Sequence, residues 1–465
     1  MGRDLDKERF TEAEFTRFGE RVREQLGVLR KLLDTPGFGQ GPVTIGAELE
    51  LFLIDEEGRP LPRNSEVRDA LDDPRVVLEL GRYNIEVNLT PLPLAGSPFA
   101  ALSAEVQETV AKVDDAVEGG GALPIGILPT LDTGDFTRGA MSDQNRFRAI
   151  SRGLRRLRLE PFLVKIGDLE LSVEDVILES ANTSWQVHIR TPPERFARLF
   201  NAAQLAIGPV LAACGNSPSF LGRELWEETR IPLMEEAADD RDMLRRERRD
   251  GRVTFGSDWV REGAGELFER YVRDYDPLVP HLTEGAPAHE VPELRLHQGT
   301  IWQWNRPVYD PAGGGHLRVE MRALPAGPSC ADMAANTAFL LGLTLSQAER
   351  DLTGYRFATA YQNFYRAAMH GLDAKLSWPG LDGEHEAAEL VLSLLPEARK
   401  GLLAAGVTAR DADRALEVIE RRTRLRRTGS AWQRETLARF GGDRGRLVRR
   451  YRELALSGEP VHLWD

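Results

Sequence analysis

Four short stretches, far apart in the chain, alternate apolar residues with ionic or polar ones: TIGAELELFLI, YNIEVNLT, SWQVHIRT and HLRVEMRA. Successive side chains on a strand point to opposite sides, so each stretch reads as a strand with one apolar and one polar face. In the first, Glu48 and Glu50 project together, opposite Ile45, Leu49, Leu51 and Leu53. Glu86 lies with Asn84 and Asn88 in the second, opposite Ile85, Val87 and Leu89. The third places Gln186, His188 and Arg190 on one side, and the fourth Arg318, Glu320 and Arg322. A half-solvated antiparallel sheet alternates in the same way without any function, and for one strand alone that is the better reading. The residue types shift the balance, because Glu fits strands poorly. Glutamates at i and i+2 repel unless a positive charge sits over them, and Glu50→Gln and Glu320→Gln are each expected to relieve repulsion among neighbouring carboxylates. A divalent cation with hard oxygen ligands, Mg²⁺ or Mn²⁺, meets that need. Arginines flanking a carboxylate, as in Arg318-Glu320-Arg322, suit an anionic substrate beside the metal, as phosphoryl chemistry requires.

The rest of the chain is read around these strands. Helical spacing runs over residues 9–34 and stops at the breaker TPGFGQGP. Val76–Leu80 and Asn84–Thr90 read as a strand pair, and Ala100–Val117 and Pro193–Ala213 as helices. Residues 214–330 are mixed, and from Ala331 onward the pattern is helical, broken near Trp378–Gly383, Gly406 and Gly441–Gly442. Strands interleaved with helices, then helices alone, predict an α+β fold rather than a regular βαβ array. Neither GxGxxG nor a Walker A sequence occurs, which disfavours a Rossmann or P-loop nucleotide site.

A net charge of −13 argues against a nucleic-acid partner. The apolar runs at Leu205–Cys214 and Ala338–Leu345 are too short to span a bilayer, and MGRDLDKERF lacks an apolar leader core. The expectation is a cytoplasmic protein with no nucleic-acid and no membrane partner. Cys214 and Cys330 form no CxxC motif and are expected to be buried, inert thiols. The tail RRTRLRRTGSAWQRETLARFGGDRGRLVRRYRE is rich in arginine but carries interspersed acids at helical spacing. It reads as a solvated or subunit-facing helix, compatible with a homo-oligomer. The alternative sends Arg421, Arg422, Arg424, Arg426 and Arg427 into the active site to hold phosphates.

Together the motifs resemble a known family. GAELELF resembles the metal-binding strand that opens the glutamate–cysteine ligase fold, the carboxylate–amine ligase branch related to glutamine synthetase. ELGRYNIEVNLTPLP is similar to that family's second acidic strand, with Glu79 seven residues before Glu86. TSWQVHIR resembles its histidine strand, CGNSPSFLG its NSP loop, RELWEETRIPLMEE the segment around Arg230, and HLRVEMRALPAGPSCADMAAN its closing strand and helix. The resemblance spans residues 41–380, taken as the catalytic domain, between an N-terminal helix in 1–40 and a helical region, 381–465, packed upon it. It implies an antiparallel sheet forming a funnel-shaped active site with helices outside, holding ATP and two or three Mg²⁺ ions. By the same resemblance one metal takes Glu50, Glu79 and Glu86, and the other Glu48, His188 and Glu320. Arg322 meets the transferring phosphoryl group, Arg318 a phosphate or a substrate carboxylate, and Arg306 is a weaker candidate for the same work.

The implied reaction joins a carboxylate to an amine through an acyl phosphate, foremost glutamate to cysteine. Three alternatives stand beside it: a ligase using another amine, a guanidino kinase of the same architecture, and a non-catalytic relative. His188 fits ligases better than the kinase, and retention of all six proposed ligands speaks against a non-catalytic protein.

Overall fold

The computed structural model describes residues 4–158, 160–352 and 354–465, with Met243 and Leu244 as backbone only. All four alternating stretches become strands of one curled antiparallel sheet. Its strands, in chain order, are β1 (Thr44–Asp55), β2 (Val76–Leu78), β3 (Asn84–Asn88), β4 (Leu92–Pro93), β5 (Gly120–Leu123), β6 (Ser184–Thr191), β7 (Asn305–Asp310) and β8 (His316–Pro325). They lie in the order β7-β8-β6-β1-β3-β2, with β4 and β5 pairing to the two ends of β1. The architecture is α+β, with helices on the apolar side of the sheet.

The register follows from burial. Leu49, Leu51, Ile85, Val87, Val187, Ile189, Leu317, Val319 and Met321 are essentially inaccessible and share one core. A one-residue slip of β1 would drive Glu48 and Glu50 into that core, where an unpaired carboxylate costs far more than any strand pairing returns. The polar face itself is short. At Phe52 and Ile54 it gives way to a second core with Tyr83, Leu123 and Ile125, so the carboxylates of β1 sit between two apolar regions.

Helix α1 (Glu12–Leu33) opens with a capping box in which Thr11 and Glu14 satisfy each other's backbone N–H groups. Helix α2 (Pro98–Asp115) follows β4 in the chain. Helix α3 (Pro193–Cys214) crosses behind β8 and packs on α4 (Cys330–Gln347). By length and composition α3 could cross a membrane, but 89% of its most apolar window is buried inside the protein. Helices α5 (Ala387–Ala404) and α6 (Ala409–Arg424) cover α4. Where α4 meets α5, a Cβ on Gly401 would stand 2.1 Å from the Gly342 carbonyl, so only glycine permits that approach.

Several elements have no signature in the sequence reading. The helix Asn145–Leu157, the hairpin Phe162–Ile166/Leu169–Val173 and the helix Ala264–Asp274 lie in segments read as loop or mixed, or left without a reading. The edge strand β7, NRPVYD, was also missed. Its Pro307 argues against a central strand, but at an edge a missing N–H costs no ladder bond.

The arginine-rich segment needs a correction. Arg421 and Arg424 do make exposed pairs with Glu417 and Glu420. Arg422 instead is fully buried, donating to Asp332 at 3.1 Å and to Asn336 on α4. It is neither solvated nor turned toward the strands' polar face. Both thiols are buried and free, and burial pushes Cys214 up to about 12. Arg422→Met should leave Asp332 buried without its cation and lower unfolding free energy by about 3–5 kcal/mol. Urea denaturation followed by circular dichroism measures this, and a loss below about 1 kcal/mol would refute the ion pair's role in joining α6 to the core.

Candidate active site

The strand register turns the polar face into rows. Arg306, Glu320, His188 and Gly46 form one row across β7, β8, β6 and β1. Gln186, Glu48 and Asn88 form the next, and Glu50 stands opposite Glu86. Glu79 follows β2 directly, and its carboxyl lies in the field of Glu86 and Glu50. All six proposed metal-ligating residues therefore gather at one face. Among the described residues, however, no three His, Cys, Asp or Glu groups converge as a ready-made cation site.

Protein partners hold some of these groups. Glu320 is 1% exposed and pairs with Arg306 Nε at 2.9 Å and with Arg322. Burial opposes its charge, but Arg306, Arg322 and His188 keep its carboxyl far below the usual range. Arg306 is thereby turned to Glu320, with longer bonds to the carbonyls of Ile301 and Gln298. Arg322 also donates to Gln186. It owes that direction to a bulge: the β6–β8 register shifts between Met321 and Leu324, and the Arg322 N–H bonds to Trp304 of the edge segment. Arg318 stands one row farther along β8, 3.5 Å from Asp310.

The opposite end of the face is only partly compensated. Glu50 accepts hydrogen bonds from the Ser184 N–H at 2.7 Å, the Ser184 hydroxyl at 2.9 Å and Gln186 at 2.8 Å. Burial nevertheless raises its pKa, with Arg322 opposing. Burial and repulsion from Glu48 and Glu50 push Glu86 up to about 7. Burial, Glu86 and Glu50 push Glu79 well above the carboxylate range. A further acid joins them. Glu179, on the 3₁₀ turn Val176–Ala181, is raised to about 8 by burial and then by Glu50. The sequence reading missed it, although one acid inside the apolar run VILESA was the available signal.

The donor set suits a hard divalent cation. His188 is 3% exposed, its Nε2 lies 3.1 Å from Glu48, and its Nδ1 has no hydrogen-bond partner among the described residues. A buried imidazole beside Glu48 and Glu320, whose carboxyls are held below the usual range, joins N and O donors in a set that a metal would satisfy. Arg230, 2% exposed, closes the floor by bonding Glu228 at 3.1 Å and the Ala323 carbonyl, within the field of Glu50 and Arg322. A separate cavity of about 460 Å³, lined by Thr133, Arg138, Arg155 and Asp175, includes none of these residues.

A family model described as glutamate–cysteine ligase family 2 matches residues 44–453. Among solved structures, a glutamate–cysteine ligase from Francisella tularensis in complex with AMP is similar at TM-score 0.58 and 14% identity, covering 90% of each chain. A bifunctional glutathione synthetase from Pasteurella multocida is similar at TM-score 0.54 and 11% identity, covering 95% of this chain and 56% of that one. No curated protein matches in sequence.

The electrostatics divide the acids into two classes, and for Glu320 they correct the expectation that glutamine relieves repulsion there. Glu79→Gln should raise the melting temperature of metal-free protein by about 1–2 °C, because Glu79 has acidic neighbours to repel it. Glu320→Gln should lose about 3 kcal/mol, because two arginines are left without their counter-charge. Calorimetry in the presence of EDTA decides it, and melting shifts of the same sign would refute the division.

Proposed function

This chain belongs to glutamate–cysteine ligase family 2, and on that premise we propose that it is an ATP-dependent carboxylate–amine ligase forming a γ-glutamyl amide, with glutamate and cysteine as substrates. The observation that carries the reading is the division of one sheet face into a carboxylate cluster around Glu50, Glu79 and Glu86 and a cationic group centred on Arg322. That combination suits a metal-bound polyphosphate and an incoming carboxylate. The AMP held by the similar ligase structure supports the same nucleotide class.

Glu50, Glu79 and Glu86 would hold one Mg²⁺, and Glu48, His188 and Glu320 another. When bound, the metal supplies charge neutralisation for phosphate oxygens and a Lewis acid at the transferring group. The chain's own residues do the rest. Arg322, fixed by Glu320 and Gln186, presents its planar guanidinium to the transferring phosphoryl oxygens, where charge develops as the glutamate γ-carboxylate attacks. Arg306 holds Glu320 in place and so fixes Arg322 indirectly. The amine then attacks the acyl phosphate carbonyl, phosphate leaves, and the amine proton passes to a nearby base or to water. No protein nucleophile is required.

Substrate tests follow directly. ADP release with glutamate and Mg²⁺ should depend on an added amine, with cysteine foremost in a panel of amino acids and simple amines. EDTA should abolish turnover once bound metal is removed, and full activity in excess chelator would sink the metal reading. Arg322→Lys should lower acyl-phosphate formation by about 30- to 1000-fold, roughly 2–4 kcal/mol, because an ammonium cannot replace a bidentate fork. Normal acyl-phosphate formation with failure only at amine capture would move Arg322 to the second substrate.

A further inference from the structure

The separate cavity of about 460 Å³ backs onto the turn that carries Glu179. Sites for small molecules span roughly 300–1,000 Å³, so it is large enough for one. Its walls come from the 3₁₀ turn Thr133–Asp135, the helix Asn145–Leu157, the hairpin that ends at Val173 and the turn Val176–Ala181. Phe136, Leu171 and Val173 are half-buried against the cores behind them and line the cavity beside Ile177. The charged groups of the lining are unequally engaged. Asp175 is fully used: it accepts from the Ser151 hydroxyl at 2.6 Å, the Val176 N–H at 2.8 Å and Arg138 Nε at 3.1 Å. One carboxylate thus ties three walls together, while the Arg138 side chain stays 65% exposed. Arg155 stands one turn after Ser151 and therefore on the same helix face. Neither Arg155 nor Glu174 has a hydrogen bond or ion pair among the described residues, although both line the cavity. A smaller lobe beyond the Arg138–Asp175 pair shows how such arginines take a carboxylate: Glu8 is seated there on Arg148 Nε at 2.6 Å and on Arg152 at 2.7 Å.

We propose that this cavity is a binding site for a free α-amino acid with an apolar side chain. Its carboxylate lies on Arg155 and Arg138, its ammonium on Glu174, and its side chain against Phe136, Leu171 and Val173. The chemistry of the lining selects the class. A phosphate or a dicarboxylate would bring surplus negative charge to Glu174, and a purely apolar ligand would leave Arg155 and Glu174 unmatched. A zwitterion with an apolar body meets all three demands. The inference is independent of the ligase reading, because the described residues lining the cavity include none assigned to the metals or to phosphoryl transfer. Ile177 nevertheless lies two residues before Glu179 within one turn capped by Asp175, so the occupant packs against the segment that brings Glu179 to the acids.

Calorimetric titration of the full chain with L-leucine tests the site. Leucine should bind saturably, and glycine about 10- to 100-fold more weakly, because it leaves the apolar wall in water. Isocaproate, which lacks the ammonium, and isoamylamine, which lacks the carboxylate, should each bind about 10-fold more weakly than leucine. Arg155→Gln should narrow the gap between leucine and isoamylamine, and Glu174→Gln the gap between leucine and isocaproate. Both side chains lack partners in the fold, so the melting temperature of each variant should match wild type. If one variant does melt lower, the other carries the test. Absence of saturable binding by leucine, valine and phenylalanine at millimolar concentrations overturns the proposal. Leucine binding that both variants leave unchanged also overturns it, and moves the amino acid to the sheet face.

Discussion

The site depends on one constraint: Glu48, Glu50, Glu86 and Glu320 must share a sheet face whose reverse is a closed apolar core. With Leu49, Leu51, Val87, Val187, Val319 and Met321 all buried behind them, the strands cannot slip and the carboxylates cannot turn away. Their mutual repulsion is fixed into the fold. Each acid is then stabilised by a local cation, as Glu320 is by Arg306 and Arg322, or left in a state that favours protonation or a bound metal, as Glu79, Glu86 and Glu179 are.

This arrangement gives the face a polarity along the strands. Carboxylates crowd at the Glu50–Glu86 pair, opposite charges meet in the His188–Glu320 row, and guanidiniums face each other at Arg190 and Arg318. Such a gradient orients a ligand carrying both a metal cation and a chain of phosphates, and it does so through fixed groups rather than through motion. The chain departs widely in sequence from the solved structures it resembles, at 14% and 11% identity, yet the fold is similar at TM-scores of 0.58 and 0.54.

Outside the face, buried polar groups join the elements. Arg422 crosses from α6 to Asp332 and Asn336 on α4. Asn216 donates to the Ala326 carbonyl just past β8 and to the Tyr451 hydroxyl of the helix Arg444–Ser457. These contacts tie the last helices to the segment that follows the arginine strand. The C-terminal arginines therefore act mostly within the fold, as paired or buried charges.

Local sequence determined the strands of the face and what each one presents, because a period of two with Leu, Val and Ile on one side admits a single burial pattern. The family was legible for the same reason: Glu48, Glu50, His188, Glu320 and Arg322 stand at fixed spacings within those strands. The edge strand β7 was not legible, since Pro307 is tolerated only where no neighbour needs its N–H. Neither was the helix Asn145–Leu157, which falls in a segment rich in polar residues. Glu179 entered the cluster through a 3₁₀ turn far from the acidic strands in sequence, and the pairing of Arg190 with Arg318 required the β6–β8 register. The bulge that aims Arg322 at Gln186 and Glu320 appears only when two strands are laid side by side. Spacing within a strand fixes which residues share a face, but which faces meet, and which charges then oppose or neutralise one another, is a property of pairing between distant segments that only the tertiary structure decides.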